Sequence, residues 1–237
     1  MLETITEISM HRSAQRKPYP SHKITAALLA FLSFAMIGSL VLLMSVSDTV
    51  YLKQLIEDSG PVQMVGQTAI TLTFVLCVFY SLVDNKRRSA WISLSYLTLF
   101  YALREADYHY ELSDHAKASQ FKRFFSHEMI PLSSKLFLAA IVLLFLVVIY
   151  RYIRGERQVF LQALREKLPW AVFFFAWAGI AFLSQAIDQI PLFHTTQGQV
   201  FEEVFETSAE ILALLTVIMF RAQIRGEHAV ALLSRNP

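Results

Sequence analysis

Glu105 and His109 stand four residues apart, and Glu111 and His115 repeat that spacing. On a helix such pairs share a face, with Cβ atoms about 6 Å apart. A carboxylate beside an imidazole is a ligand set for zinc or another first-row divalent metal. Both pairs begin in the run Arg104-Glu105-Ala106-Asp107-Tyr108-His109-Tyr110-Glu111, which opens a segment that also holds Asp114, His127 and Glu128. A second set of carboxylates, Glu203, Glu206 and Glu210, follows i, i+3, i+7 spacing and forms one stripe along a helix.

These residue types suit hydrolysis or group transfer assisted by a metal. Glu105, Asp107 and Glu206 are the candidate catalytic carboxylates, and His109, His127 and Glu206 the candidate metal ligands. A metal-bound water, activated by one of the acids as base, would be the nucleophile. Arg104, Lys122 and Arg123 can hold a phosphate head group. The chain has no HExxH, and its single cysteine, Cys77, excludes an internal disulfide and a Cys-rich zinc site. The competing description makes the same residues interfacial caps and ion pairs, with Arg104, Lys122 or Arg123 neutralising the acids.

The elements that must position them are apolar. The chain is 55% hydrophobic and 17% charged, against about 25% charged for an ordinary soluble domain. Six blocks approach or reach the roughly 20 residues that a helix needs to cross a bilayer. They lie at about 24–46, 63–83, 89–106, 132–150, 169–187 and 203–220. The first is too long for a signal-peptide core and lacks an Ala-x-Ala cleavage site, so it is read as a retained helix. The expected fold is an all-α, polytopic bundle of six transmembrane helices. Residues 1–23 are expected to form a cytoplasmic basic N-terminal segment, 24–220 the six-helix transmembrane domain with its outer loop at about 107–131, and 221–237 a cytoplasmic C-terminal tail.

Charge sets the expected orientation. With the N-terminus in the cytoplasm, 15 of the 21 basic residues fall on the cytoplasmic side, among them Lys86, Arg87, Arg88, Arg151, Arg154, Arg157 and Arg221. The positive-inside rule then gives both termini inside. Of the 19 acids, 13 fall at the outer end, an excess that attracts cations there. The net charge of +2 gives no reason to expect nucleic acid as a partner.

Glu210 is about 16 Å of helix rise from Arg221, near mid-membrane. A carboxylate facing lipid is costly, so Glu210 is expected to face protein or water. Its expected partners are Ser93, Ser95, Tyr96, Gln67, Thr68, Thr71 or Gln185. Asp188 closes the fifth crossing at the outer level beside Gln185, so that Glu105, His109, Asp188, Glu203 and Glu206 can converge on one outward-facing cavity. Residues 49–58 read as a short amphipathic helix lying on the membrane, with 51, 52, 55 and 56 on its apolar face. Ser59-Gly60-Pro61 turns the chain into the next crossing.

The architecture alone is similar to integral-membrane hydrolases of the alkaline ceramidase type, which hold a metal with histidines and an acid inside a helical bundle. Their paired late histidines have no counterpart in the last two crossings, and no residue is carried over. The leading expectation is an enzyme of the bacterial inner membrane acting on a lipid or lipid-linked substrate from the outer side. The alternatives are a proton- or cation-coupled transporter, with Glu206 and Glu210 as its binding groups, and an accessory or sensory membrane protein.

Overall fold

The structure, a computed structural model, describes residues 22–56, 60–105, 125, 128, 130–190 and 195–233. Within them the chain is helical throughout, with six long helices and one short. They are α1 (His22–Met44), α2 (Thr49–Ile56), α3 (Pro61–Val83), α4 (Arg88–Glu105), α5 (Leu132–Arg165), α6 (Pro169–Gln189) and α7 (Thr196–Leu233). Each expected block is thus a helix. Three stretches are long and apolar enough to cross a membrane: Lys23–Met44, Thr49–Val83, which contains α2 and α3, and Leu132–Arg165. Their large side chains, such as Phe31, Phe34, Leu82 and Leu143, stand exposed, as a lipid-facing surface requires.

Two helices run well past the expected blocks. α5 has 34 residues rather than about 19, and α7 has 38, so each is over 50 Å long at about 1.5 Å per residue. Hydropathy ends these blocks at the first arginines, but nothing in Arg151–Arg165 or Arg221–Leu233 breaks a helix except the tolerated Gly155 and Gly226.

The ends of the helices have local causes. Pro61 and Pro169 occupy the first turns of α3 and α6, where a missing N–H costs nothing and a fixed φ favours the helix. Asp48 starts α2 by accepting the N–H of Val50 at 2.9 Å and of Tyr51 at 3.2 Å, a capping pattern. α5 stops at Lys167, whose φ of 52° is left-handed. The Leu168 N–H then donates to the Ala163 carbonyl at 2.9 Å, the bond of a Schellman turn, and both residues join the core that such a turn brings together. At Gly60 the chain passes so close to the Leu55 carbonyl that no Cβ fits.

α7 is the hub. It packs along α6 and α3 and also meets α1 and α2, while α4 covers α3, and α5 leans on α4. α5 and α6 touch only lightly. One apolar cluster draws together Cys77 of α3, Trp91 of α4, Ala163 of α5, Trp170 of α6 and Phe220 of α7. A chain of rings runs through it: Tyr80–Trp91, Trp91–Phe220, Phe220–Trp170 and Trp170–Phe160, with centroids 5.0–5.9 Å apart. Five helices are therefore knotted at the end of the bundle that carries Lys86–Arg88. At the opposite end, rich in acids, a second cluster holds Leu43, Leu52, Ile56, Val200 and Val204. The apolar face of α2, expected to rest on lipid, is in fact partly covered by α7. Leu52 and Ile56 are buried while Tyr51 is exposed.

Candidate functional site

The acidic stripe sits where the spacing puts it, on one continuous helix. Glu203 and Glu206 are half-buried, and Glu210 is buried at 4% exposure. The Ser184 hydroxyl of α6 donates to Glu206 Oε1 at 3.2 Å. From the next residue of α7, the Thr207 hydroxyl donates to the Val62 carbonyl of α3 at 3.1 Å. A Cβ built on Gly66 of α3 would collide with the Glu210 carboxylate and come within 3.1 Å of Thr207 Oγ1. The absent side chain of Gly66 is thus the notch that admits Glu210, in the way small residues let membrane helices approach. The stripe joins three helices: α6 through Ser184, α3 through Val62 and Gly66, and α7 itself.

Several expected partners of Glu210 are engaged elsewhere. Thr68 and Thr71 are exposed on the far side of α3, and the Thr68 hydroxyl donates to Met64 O of its own helix. Ser93 and Ser95 likewise donate to Ser89 O and Ile92 O. Tyr96 reaches across to the Ile141 carbonyl of α5 at 3.3 Å, so it ties α4 to α5. An α-helix leaves Ser and Thr hydroxyls within reach of the carbonyl three or four residues back, and polarity alone could not reveal that use.

The backbones of Arg104 and Glu105 end α4, and those of Gln185 and Asp188 belong to α6. Asp107, His109, Lys122, Arg123 and His127 lie outside the described residues, as do Glu111, Asp114, His115 and His194. The histidine part of the proposed ligand set is therefore not among the groups seen, and no group of three metal-ligating side chains occurs among the described residues. Asp48, one of the outer-end acids expected to attract cations, is occupied as a helix cap.

Sequence reasoning missed a buried, multiply hydrogen-bonded polar group. Asp84, 4% exposed, follows the last turn of α3 at the basic end. Its Oδ2 accepts from Arg221 Nη1 at 2.6 Å and from Trp91 Nε1 at 3.2 Å. Its Oδ1 accepts the Arg87 backbone N–H at 3.3 Å. The Arg221 guanidinium also lies over the Tyr80 ring, 5.1 Å from its centroid, a cation–π contact. Arg87 extends the network to Glu156 of α5 at 3.3 Å and lies over Phe220 at 5.6 Å. In the sequence, charge at this end serves only as a topology signal. The clue was the acid itself: Asp84 is one acid beside Lys86-Arg87-Arg88, directly after 23 helical residues with no charge.

No known family model, curated protein or solved structure matches this chain.

Proposed function

We propose that the chain is an integral membrane protein with six crossings and both termini in the cytoplasm, in which the Glu203–Glu206–Glu210 stripe takes up a proton or a small cation from the outer side. The observation that carries this reading is the burial of Glu210 against Gly66, between two helices of an apolar bundle. A carboxyl group in such surroundings exchanges charge for neutrality at a cost set by its neighbours. A protein gains a proton or ion site by keeping it there, whereas a merely structural contact would be served as well by an apolar residue. Glu206, half-buried and touching Ser184, would form the entrance.

The test uses the full chain reconstituted in sealed vesicles with a pH indicator inside. An imposed cation or proton gradient should drive proton movement with the native protein. Glu210→Gln should abolish it while leaving thermal unfolding in detergent nearly unchanged, because Gln keeps the shape and hydrogen-bonding capacity. Equal flux from both proteins would end this reading.

The enzymatic reading, a hydrolase or transferase acting on a lipid or lipid-linked substrate, places Glu206 at the same end with His109 and His127 as metal ligands. Metal content separates the two. One zinc per chain in the native protein, lost in both Glu206→Gln and His109→Ala, would replace the proton-binding proposal by the enzymatic one.

A further inference from the structure

We propose that the part of α5 beyond the membrane-crossing block is a docking edge for anionic phospholipid, gripping headgroup phosphates of the leaflet at the basic end of the bundle. At 100° per residue, Tyr150, Ile153, Arg154, Arg157, Leu161 and Leu164 fall within one arc of about 100°. All six are exposed, including Tyr150 at 62% and Ile153 at 58%. The arc next to it faces inward: Val159, Phe160 and Ala163 belong to the five-helix cluster. The helix therefore has a buried face and, beside it, an uncovered stripe in which two arginines lie between apolar side chains. Long basic side chains suit that pattern, since their stems lie along hydrocarbon while their heads reach the phosphates.

The charge on this edge is not cancelled by its own helix. Glu156 turns to Arg87 at 3.3 Å, and Glu166, at the end of the helix, accepts from Gln162 at 2.9 Å. Arg151, Arg154, Arg157 and Arg165 are left exposed on α5. Arg154 donates to the Tyr150 hydroxyl at 3.2 Å, which holds its guanidinium beside a ring of the type that settles at the headgroup level. Guanidinium groups fit phosphate oxygens with paired bonds, and the apolar members of the stripe require acyl chains beside those phosphates. A free anion would satisfy the arginines alone, so the occupant assigned is a whole lipid. This inference stands apart from the carboxylate stripe, which lies at the other end of the bundle.

The experiment is native mass spectrometry of the full chain released from nanodiscs of phosphatidylglycerol and phosphatidylcholine in equal amounts. The native protein should retain phosphatidylglycerol preferentially. Each arginine removed from the stripe should weaken retention about fivefold, by the usual attraction of one basic residue to an anionic surface. Arg154→Gln with Arg157→Gln should thus lose most of the bound lipid. Lys86→Gln with Arg88→Gln, at the same end but off the stripe, should lose little. The exposed positions keep all these variants folded, which thermal unfolding would verify. The proposal fails if both lipids are retained equally, if the off-stripe pair loses as much as the stripe pair, or if inorganic phosphate displaces the lipid completely.

Discussion

The two ends of the bundle are built on opposite terms. At the basic end, two ion pairs tie the helices together within the protein: Asp84 with Arg221, and Arg87 with Glu156. Aromatic rings from five helices close around them. At the acidic end, the carboxylates of one helix meet a hydroxyl and a glycine notch, and the apolar cluster beside them draws mainly on α1, α2 and α7. The contrast separates charge used to hold helices together from charge held in a groove of small groups.

The sharpest way to break this comparison is to remove Asp84. Asp84→Ala should destabilise the protein by about 3–5 kcal/mol, since it strands a mostly buried guanidinium. Unfolding in a mixed-detergent titration would measure it. The double variant Asp84→Asn with Arg221→Met should recover much of that loss, because two neutral groups leave no stranded charge. A loss below about 1 kcal/mol for Asp84→Ala would mean that the ion pair does not hold this end.

The acidic end should prove weaker in charge but not in packing. Leu52→Ala, which hollows the contact between α2 and α7, should cost about 2–3 kcal/mol in the same titration. A cost of only a few tenths would return α2 to the membrane surface. Gly66→Ala should cost about 1–3 kcal/mol by forcing α3 away from Glu210. Gly38→Ala and Gly155→Ala, where nothing lies within 4 Å of the added methyl, should instead gain up to about 1 kcal/mol. Equal effects at all three glycines would remove the notch from the argument. The smallest effect belongs to the basic end. Lys167→Gly should stabilise by about 0.5–1 kcal/mol by relieving the left-handed backbone, less the chain entropy that Gly adds when unfolded.

Hydrophobic blocks made the helices legible, because the requirement of about 20 apolar residues acts on each segment alone. The start of α3 at Pro61 and the acidic stripe of α7 were legible for the same reason: both follow from local spacing. The partners were not. Whether Thr68 faces Glu210 or lipid depends on the rotation of α3 against α7, and that rotation is fixed by Gly66, whose contribution is the volume it lacks. The pairing of Asp84 with Arg221 spans 137 positions, and no periodicity within either helix could announce it. The overrun of α5 beyond residue 150 escaped notice because hydropathy registers the arginines as an ending, while the helix continues as long as its inward face finds a core.

The position of α7 has a consequence for how the molecule is made. Its neighbours α1, α2, α3 and α6 all leave the ribosome before it. Until it arrives, Gly66 has no carboxylate to admit, Asp84 lacks Arg221, and Leu52 and Ile56 lack the side of their cluster made by Val200 and Val204. Before it, α4 already covers α3 and α5 leans on α4, but the faces that meet α7 stay uncovered and open to wrong partners. The seventh helix is thus the element that closes both ends of the bundle, since it contributes to both apolar clusters.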